Sequence, residues 1–377
     1  MRIAILGHKQ IGVRSGGIEK TVYEIALRLT ERGHDITVFD RWPLFVPAAR
    51  DTEDRLEKIR IRRIPTLRGK AEVPLYSLLA SVAAGVGKYD VVIFNASGPS
   101  LMIPVTRVFG KKTISFIHGL DSKSVKWGRF ASQYLRMGEK TAARYADRVL
   151  VLSEHIRAHF ISEYGIEPEL VFNGIDMPES VSAEYESAVL SRYSLKKDGY
   201  FLWTGRISRE KGIQYLLKAF TKCETDKMLV IAGSGGTGRT VYEKQVAEES
   251  SGDKRVLLTG LIDPEDLTVL YRNCFAFVFP SESEGMPHSL LEALSCGAQC
   301  AASDIPENRA LAGEHGLYFR STDVEEIRNC LNELLADPDS RYQRTADEAK
   351  EITGRYEWEK AADLIEEICL DVIGKAK

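Results

Sequence analysis

Residues 3–6, Ile-Ala-Ile-Leu, form an unbroken apolar run that leads into a glycine-rich segment, Gly7 to Gly17. Ile18, Val22, Ile25, Ala26 and Leu29 then repeat at helical spacing, Gly33 closes that stripe, and a second apolar run spans Asp35 to Phe39. A strand that is apolar on both faces needs helices over both, so this opening commits the chain to a parallel, doubly wound sheet. Val91 to Phe94, Thr113 to Ile117 and Val149 to Leu152 extend the pattern. It restarts at Tyr200: Tyr200 to Trp203, Met228 to Ala232, Val256 to Leu258 and Phe275 to Phe279 read as strands, with helical stretches beginning near Lys211, Arg239, Pro264 and His288. At 377 residues the chain is too long for one ordinary core, and two α/β Rossmann-like domains are expected. The expected boundaries are 1–177, 178–355 and a closing helical segment 356–377 that packs back on the first domain. The turn Asn173-Gly174-Ile175-Asp176 and a polar stretch from Pro178 to Asp198 mark the join, and Ala362, Ile365, Ile368 and Cys369 give the last helix its apolar stripe.

Composition removes several function classes. Hydrophobic residues at 44% and charged residues at 28% exclude disordered and collagen-like chains. The longest apolar candidate, Tyr76 to Val86, falls short of the roughly 18 residues a membrane-spanning helix needs. The start shows no signal-peptide pattern, so a cytoplasmic protein is expected. All six cysteines lie in the second half and none forms a Cys-x-x-Cys pair; they read as buried small residues rather than zinc ligands or a redox dithiol. Residues 1–180 carry 27 Lys and Arg against 20 Asp and Glu, and the remainder 24 against 34. The first half is therefore basic. Cations from Arg55, Lys58, Arg60, Arg62, Arg63, Arg68 and Lys70 to Lys111, Lys112, Lys123, Lys126 and Arg129 suit an anionic membrane face. No aromatic-interleaved basic motif supports nucleic-acid binding.

Open parallel sheets bind ligands beyond the carboxyl ends of their strands. The loop Gly7 to Gly17, ending in Gly16-Gly17 before a helix, offers bare N–H groups and a helix dipole to a phosphate or carboxylate. Gly233-Ser-Gly235-Gly-Thr-Gly-Arg-Thr matches Gly-x-Gly-x-x-Gly and nearly a Walker A loop. Arg239 replaces the Walker Lys and no acidic residue follows at a strand end, which leaves a generic anion cradle. In Gly205-Arg206-Ile-Ser-Arg-Glu-Lys211-Gly212, two cations flank a turn at a helix start and can converge on one diphosphate. Glu284 and Glu292 lie eight positions apart, one in a loop after a strand and one expected two turns into a helix beginning near Pro287. Carboxylates placed so accept hydrogen bonds from sugar hydroxyls. Asp337-Pro338-Asp339 reads as a polar loop, and His155 and His159, with Ile156 where a zinc protease needs Glu, as helix surface.

Together these elements resemble the retaining nucleotide-sugar glycosyltransferases of family four, glycosyl transferases group 1, whose fold is GT-B, two Rossmann-like domains facing a cleft. Glu284 to Glu292 matches the family's Glu-x7-Glu, Gly205 to Gly212 its Gly-Arg … Glu-Lys-Gly, Gly16, Gly17 and Glu19 its Gly-Gly-x-Glu, and Asn173 to Asp176 its Asn-Gly-Ile-Asp. The opening looks most like bacterial members that build cell-surface polysaccharides. The resemblance implies that Arg206 and Lys211 bind the donor diphosphate and Glu292 the ribose. Glu284 then contacts the donor sugar, the loop Gly285, Met286, Pro287 and His288 approaches sugar and phosphates, and His118 lies near the sugar. The loops at Gly205, Gly233 and Gly235 complete the nucleotide site. Met286-Pro287 departs from the family's usual aromatic-Gly.

The implied enzyme moves a sugar from a nucleotide-diphosphate sugar to a glycan or lipid-linked acceptor with retention of configuration. It needs no metal and no cofactor besides the donor, and works in the cytoplasm, at the inner face of the membrane. Two other classes share the architecture: a nucleotide-sugar epimerase, which needs no acceptor, and a silent nucleotide-sugar-binding partner. The residues leave open the base, sugar, acceptor and linkage.

Overall fold

The computed structural model describes residues 1–12, 16–43, 58–67, 69, 71–120, 122, 128–176, 181–235, 240–337 and 346–374. The chain forms two compact units, one of Met1–Gly174 with Tyr356–Lys377 and the other of Ile175–Arg355.

The first unit holds a seven-stranded sheet in the order β3-β2-β1-β4-β5-β6-β7. Its strands are β1 (Arg2–Leu6), β2 (Asp35–Pro43), β3 (Arg60–Thr66), β4 (Val91–Asn95), β5 (Lys112–Ile117), β6 (Arg148–Val151) and β7 (Glu169–Leu170). All pairings are parallel, with Ile3 of β1 beside Ile36 and Val91. The second unit holds six parallel strands in the order β10-β9-β8-β11-β12-β13. These are β8 (Tyr200–Thr204), β9 (Met228–Ala232), β10 (Val256–Gly260), β11 (Ala276–Phe279), β12 (Cys300–Ser303) and β13 (Gly316–Phe319). Both orders reverse direction once, between β1 and β4 and between β8 and β11. Each reversal opens a crevice at the carboxyl ends of the strands, where loops diverge to opposite faces.

Several elements differ from the sequence expectation. β3 falls inside the basic stretch read as suiting an anionic membrane face: Ile64 and Thr66 are buried while Arg62, Arg63 and Pro65 face solvent, the half-solvated pattern of an edge strand. Its cations are engaged locally, Arg60 with Asp35 at 3.2 Å, Arg62 over the Phe39 ring and Arg63 over Trp42. β12, Cys-Ala-Ala-Ser, is fully buried without a β-branched residue, so packing rather than propensity makes it a strand. The polar stretch after residue 178 contains the helix Ala183–Arg192, capped by Ser182 and held through Tyr185 and Arg192 to the buried Asp266. His159, expected on a helix surface, is buried, because its helix Glu154–Tyr164 turns that face onto the helix Arg129–Tyr145; its Nε2 lies 3.2 Å from Glu139. His155 is exposed. Five of the six cysteines are buried and Cys296 is half-buried, with burial pushing its thiol up to about 12.

The last helix, Trp358–Gly374, packs against the first, Gly17–Glu31. Trp358, Ala362, Ile365 and Cys369 supply its buried stripe. Arg28 and Arg32 pair with Glu359 at 2.9 and 2.7 Å, and Glu366 takes Arg32 at 2.8 Å and His34 at 2.6 Å. Hydrogen bonds from Arg32 and His34 hold the Glu366 carboxyl below its ordinary range. Among the described residues no helix is long and apolar enough to cross a membrane.

Candidate active site

At the crevice of the second unit, three strand-end loops are locked together by backbone. The Gly205 N–H donates to the Ala232 carbonyl at 3.1 Å, Ile207 N–H to Ser234 at 3.0 Å and Gly233 N–H to Gly260 at 2.8 Å. Gly233, at φ +150°, lies so close to Gly205 that a Cβ would stand 1.8 Å from its carbonyl oxygen. Only glycine fits there. Gly235 abuts the capping box of Thr240 and Glu243 that starts the helix Val241–Ser250. Residues 236–239, the rest of that loop and its Arg239, lie outside the described residues.

The segment after Gly205 makes a 3₁₀ turn, Arg209–Lys211, then reverses at Gly212 into the helix Ile213–Phe220. Gly212 sits at φ +70°, where a Cβ would meet the Pro280 carbonyl at 2.1 Å. The Glu282 N–H donates to the Glu210 carbonyl at 2.9 Å. The motif around Lys211 and the motif around Glu284 are thus fastened main chain to main chain. Across that contact, Lys211 Nζ lies 2.5 Å from Glu284 Oε1, with both side chains largely buried. Arg206 is more exposed and pairs with Glu210 at 3.6 Å. The two cations expected on one anion therefore each face a carboxylate, and burial together with Glu210 raises the Glu282 carboxyl.

Gly285 is half-buried, Met286 is 7% exposed, and Pro287 caps the helix His288–Ser295, which carries the half-buried His288 at its first position. Glu292 lies at the fifth position of that helix, little more than one turn in rather than the two expected. Its Oε2 accepts a hydrogen bond from the Tyr271 hydroxyl at 3.1 Å, and Tyr271 in turn lies 2.5 Å from Thr204 Oγ1. Sequence reasoning missed both partners.

In the first unit, His118 follows β5 and is 8% exposed, its Nε2 2.8 Å from Asn95 Oδ1. The side-chain amide of Asn95 in turn donates to the Leu6 carbonyl. Asn95 was also missed, although a polar residue closing the apolar run Val91 to Phe94 was a usable signal. Gly16 precedes and Gly17 opens the first helix, and Glu19 accepts the Lys9 N–H at 3.0 Å. Residues 13–15 lie outside the described residues. Asp337 ends the helix Val324–Ala336, and 338–339 are not described.

The "Glycosyl transferases group 1" family model matches residues 191–352, and the "Glycosyltransferase Family 4" model residues 15–178. The chain is 30% identical over 162 residues to the O-antigen chain mannosyltransferase B of Escherichia coli, a match covering 42% of each protein; this and the next relatives are thus matched over less than half their length. It is 25% identical to a GDP-mannose-dependent α-(1-6)-phosphatidylinositol monomannoside mannosyltransferase of Mycolicibacterium smegmatis over 86% of this chain and 87% of that one. The sucrose-phosphate synthase of Thermosynechococcus elongatus superimposes with a TM-score of 0.84 at 20% identity, covering 99% of both chains, a likeness that carries the GT-B fold. Two family models in tandem over two doubly wound domains place the chain among the group 1, family four glycosyltransferases.

Proposed function

We propose that the protein transfers a sugar from a nucleoside-diphosphate sugar to a glycan or lipid-linked acceptor with retention of configuration, in cell-surface polysaccharide or glycoconjugate synthesis. The observation that carries this reading is the main-chain fastening of the Gly205–Gly212 and Glu284–Glu292 motifs at one strand-end crevice, with Lys211 set against Glu284, Arg206 beside Glu210 and Glu292 on Tyr271. Departure of a nucleoside diphosphate leaves negative charge on oxygen beside an oxocarbenium-like sugar, so fixed positive charge at the leaving phosphate is the largest catalytic term. Lys211 and Arg206 supply that charge, and the reaction then runs without a metal. The acceptor's proton goes to the departing phosphate on the same face of the sugar, so no protein nucleophile is assigned. Glu284 takes donor-sugar hydroxyls and Glu292 the ribose, and His118 is assigned to the donor sugar.

The printed activity of the Mycolicibacterium smegmatis relative supports a nucleotide-linked donor and a lipid acceptor, and that of the Escherichia coli relative a role in O-antigen chain synthesis. A membrane-facing role at the cytoplasmic leaflet is supported by the helix Arg129–Tyr145. Its exposed side carries Arg129, Phe130, Arg136, Met137, Lys140 and Arg144, and its one acid, Glu139, points inward. Cations interleaved with apolar side chains suit an anionic lipid surface.

Incubation with a panel of nucleotide sugars in excess EDTA tests the reading. Slow release of nucleoside diphosphate, accelerated by an acceptor, is the expected result. A 2-epimer product would make the protein an epimerase, binding without turnover a silent partner, and activity restored only by Mg²⁺ or Mn²⁺ a metal enzyme.

A further inference from the structure

Two buried hydroxyls and a half-buried carboxylate link the end of β8 to the helix bearing Glu292. The Tyr271 hydroxyl has one proton, and a carboxylate only accepts, so at 3.1 Å that proton goes to Glu292 Oε2. The 2.5 Å contact with Thr204 Oγ1 must then run the other way, with the threonine hydroxyl donating to the tyrosine oxygen. The chain is Thr204 to Tyr271 to Glu292, with a single direction. Tyr271 and Thr204 are each 2% exposed, so water does not compete at either hydroxyl. The ring is fixed edge-on to Phe277 at 5.6 Å, and Phe277 stacks on Phe279 of β11. Burial, then the neighbouring Glu292 charge, holds the phenol protonated far beyond its ordinary range, so it remains a donor.

This geometry does more than stabilise a helix. Thr204 is the residue before Gly205-Arg206, so the relay ties one carboxylate to the strand end that carries the expected diphosphate-binding loop. A Glu side chain has three rotatable bonds, and a single fixed hydrogen bond to one oxygen selects among its rotamers. We propose that Tyr271 is a positioning residue of the nucleotide site, holding the Glu292 carboxylate in the orientation and register in which it receives ribose hydroxyls. The inference rests on the assignment of Glu292 to the ribose.

The test is calorimetric titration of the full chain with whichever of UDP, GDP and ADP binds wild type most tightly, with that nucleotide's 2′,3′-dideoxy form, and with inorganic pyrophosphate. Tyr271→Phe keeps the ring and removes the donor. It should weaken the ribonucleotide about tenfold, as expected for loss of one hydrogen bond to a charged group, while leaving the dideoxynucleotide and pyrophosphate unchanged. In a Glu292→Ala background it should add nothing further. Thr204→Val, which removes the first donor of the relay, should shift the same ligand selectively and by less, and supplies the test if the tyrosine variant does not fold. Equal weakening of all three ligands, or full additivity with Glu292→Ala, would make Tyr271 merely structural and overturn the inference. The two levels fail differently. If Glu292→Ala leaves ribonucleotide affinity intact, the ribose assignment falls and the inference with it; if Glu292→Ala weakens binding and folded Tyr271→Phe does not, only the positioning role falls.

Discussion

The strand-end crevices of the two units are built on the same topology and furnished differently. In the second unit, Gly205, Gly233 and Gly212 bring main chain against main chain, and the side chains on that frame are charged: Lys211 against Glu284, Arg206 against Glu210. In the first, the strand ends hold buried imidazoles, His118 on Asn95 and His8 on Asp40, each at 2.8 Å. A diphosphate is a small, highly charged, invariant group, and fixed backbone with preset cations suits it because nothing reorganises when charge moves. Hydrogen-bonding imidazoles suit hydroxyls, whose recognition depends on direction more than on charge. On the proposed assignment, one fold serves two recognition problems through the residues that follow each strand.

That contrast can be broken at its strongest point. Lys211→Ala should lower turnover by about 10²- to 10³-fold with the fold intact, the scale for removing one preorganised charge-stabilising donor; steady-state rates on a variant of unchanged melting temperature decide it. Next in size is Gly233→Ala, which forces a methyl group into the Gly205 carbonyl. It should destabilise the second unit by about 2–4 kcal/mol, seen as a lowered unfolding midpoint in denaturant, and an unchanged midpoint would show that the loops are not locked.

The acidic pair sharpens the comparison within the second unit. Glu292→Ala should weaken free nucleoside diphosphate and nucleotide sugar alike, by about tenfold. Glu284→Ala should leave free-nucleotide affinity within a few-fold and cut turnover sharply, because an interaction with the reacting sugar appears in the rate. The reverse pattern in titrations would exchange their roles. The smallest effect concerns the first unit alone. The Glu366 carboxyl is depressed in the folded state, so its contribution is present above the ordinary carboxylate range and is lost as pH falls through the folded value. Glu366→Gln should therefore flatten the acid limb of a stability–pH curve below about pH 4.5 and change little at neutrality.

Much of this architecture was legible in contiguous residues. Central strands such as Ile3 to Leu6 announce themselves because both faces are buried, and Gly205 to Gly212 and Glu284 to Glu292 carry their spacing in one segment. β3 was hidden by arginines on its solvent face, and β12 by side chains too small to signal a strand. The relay was hidden for a different reason: Tyr271 meets Thr204 across 67 positions and Glu292 across 21, and nothing local to a tyrosine in an amphipathic helix reports a distant hydroxyl. Likewise, Lys211 and Glu284 were assigned separate partners, whereas folding brings them to each other across 73 positions.

The close approach of Gly174 to Trp358 bears on how the chain is threaded. A Cβ on Gly174 would stand 2.3 Å from the Trp358 backbone nitrogen, so the segment leaving the first unit and the segment returning to it run side by side. The second unit is, in effect, a 181-residue insertion whose two ends are already neighbours. Replacing residues 175–355 with a few glycines would close a short loop at little entropic cost, whereas cutting after residue 355 would strip the first helix of the partner that covers its apolar face. A ribosome emitting this chain releases the whole second unit before the last helix, so the first sheet is synthesised long before the partner that covers its first helix emerges.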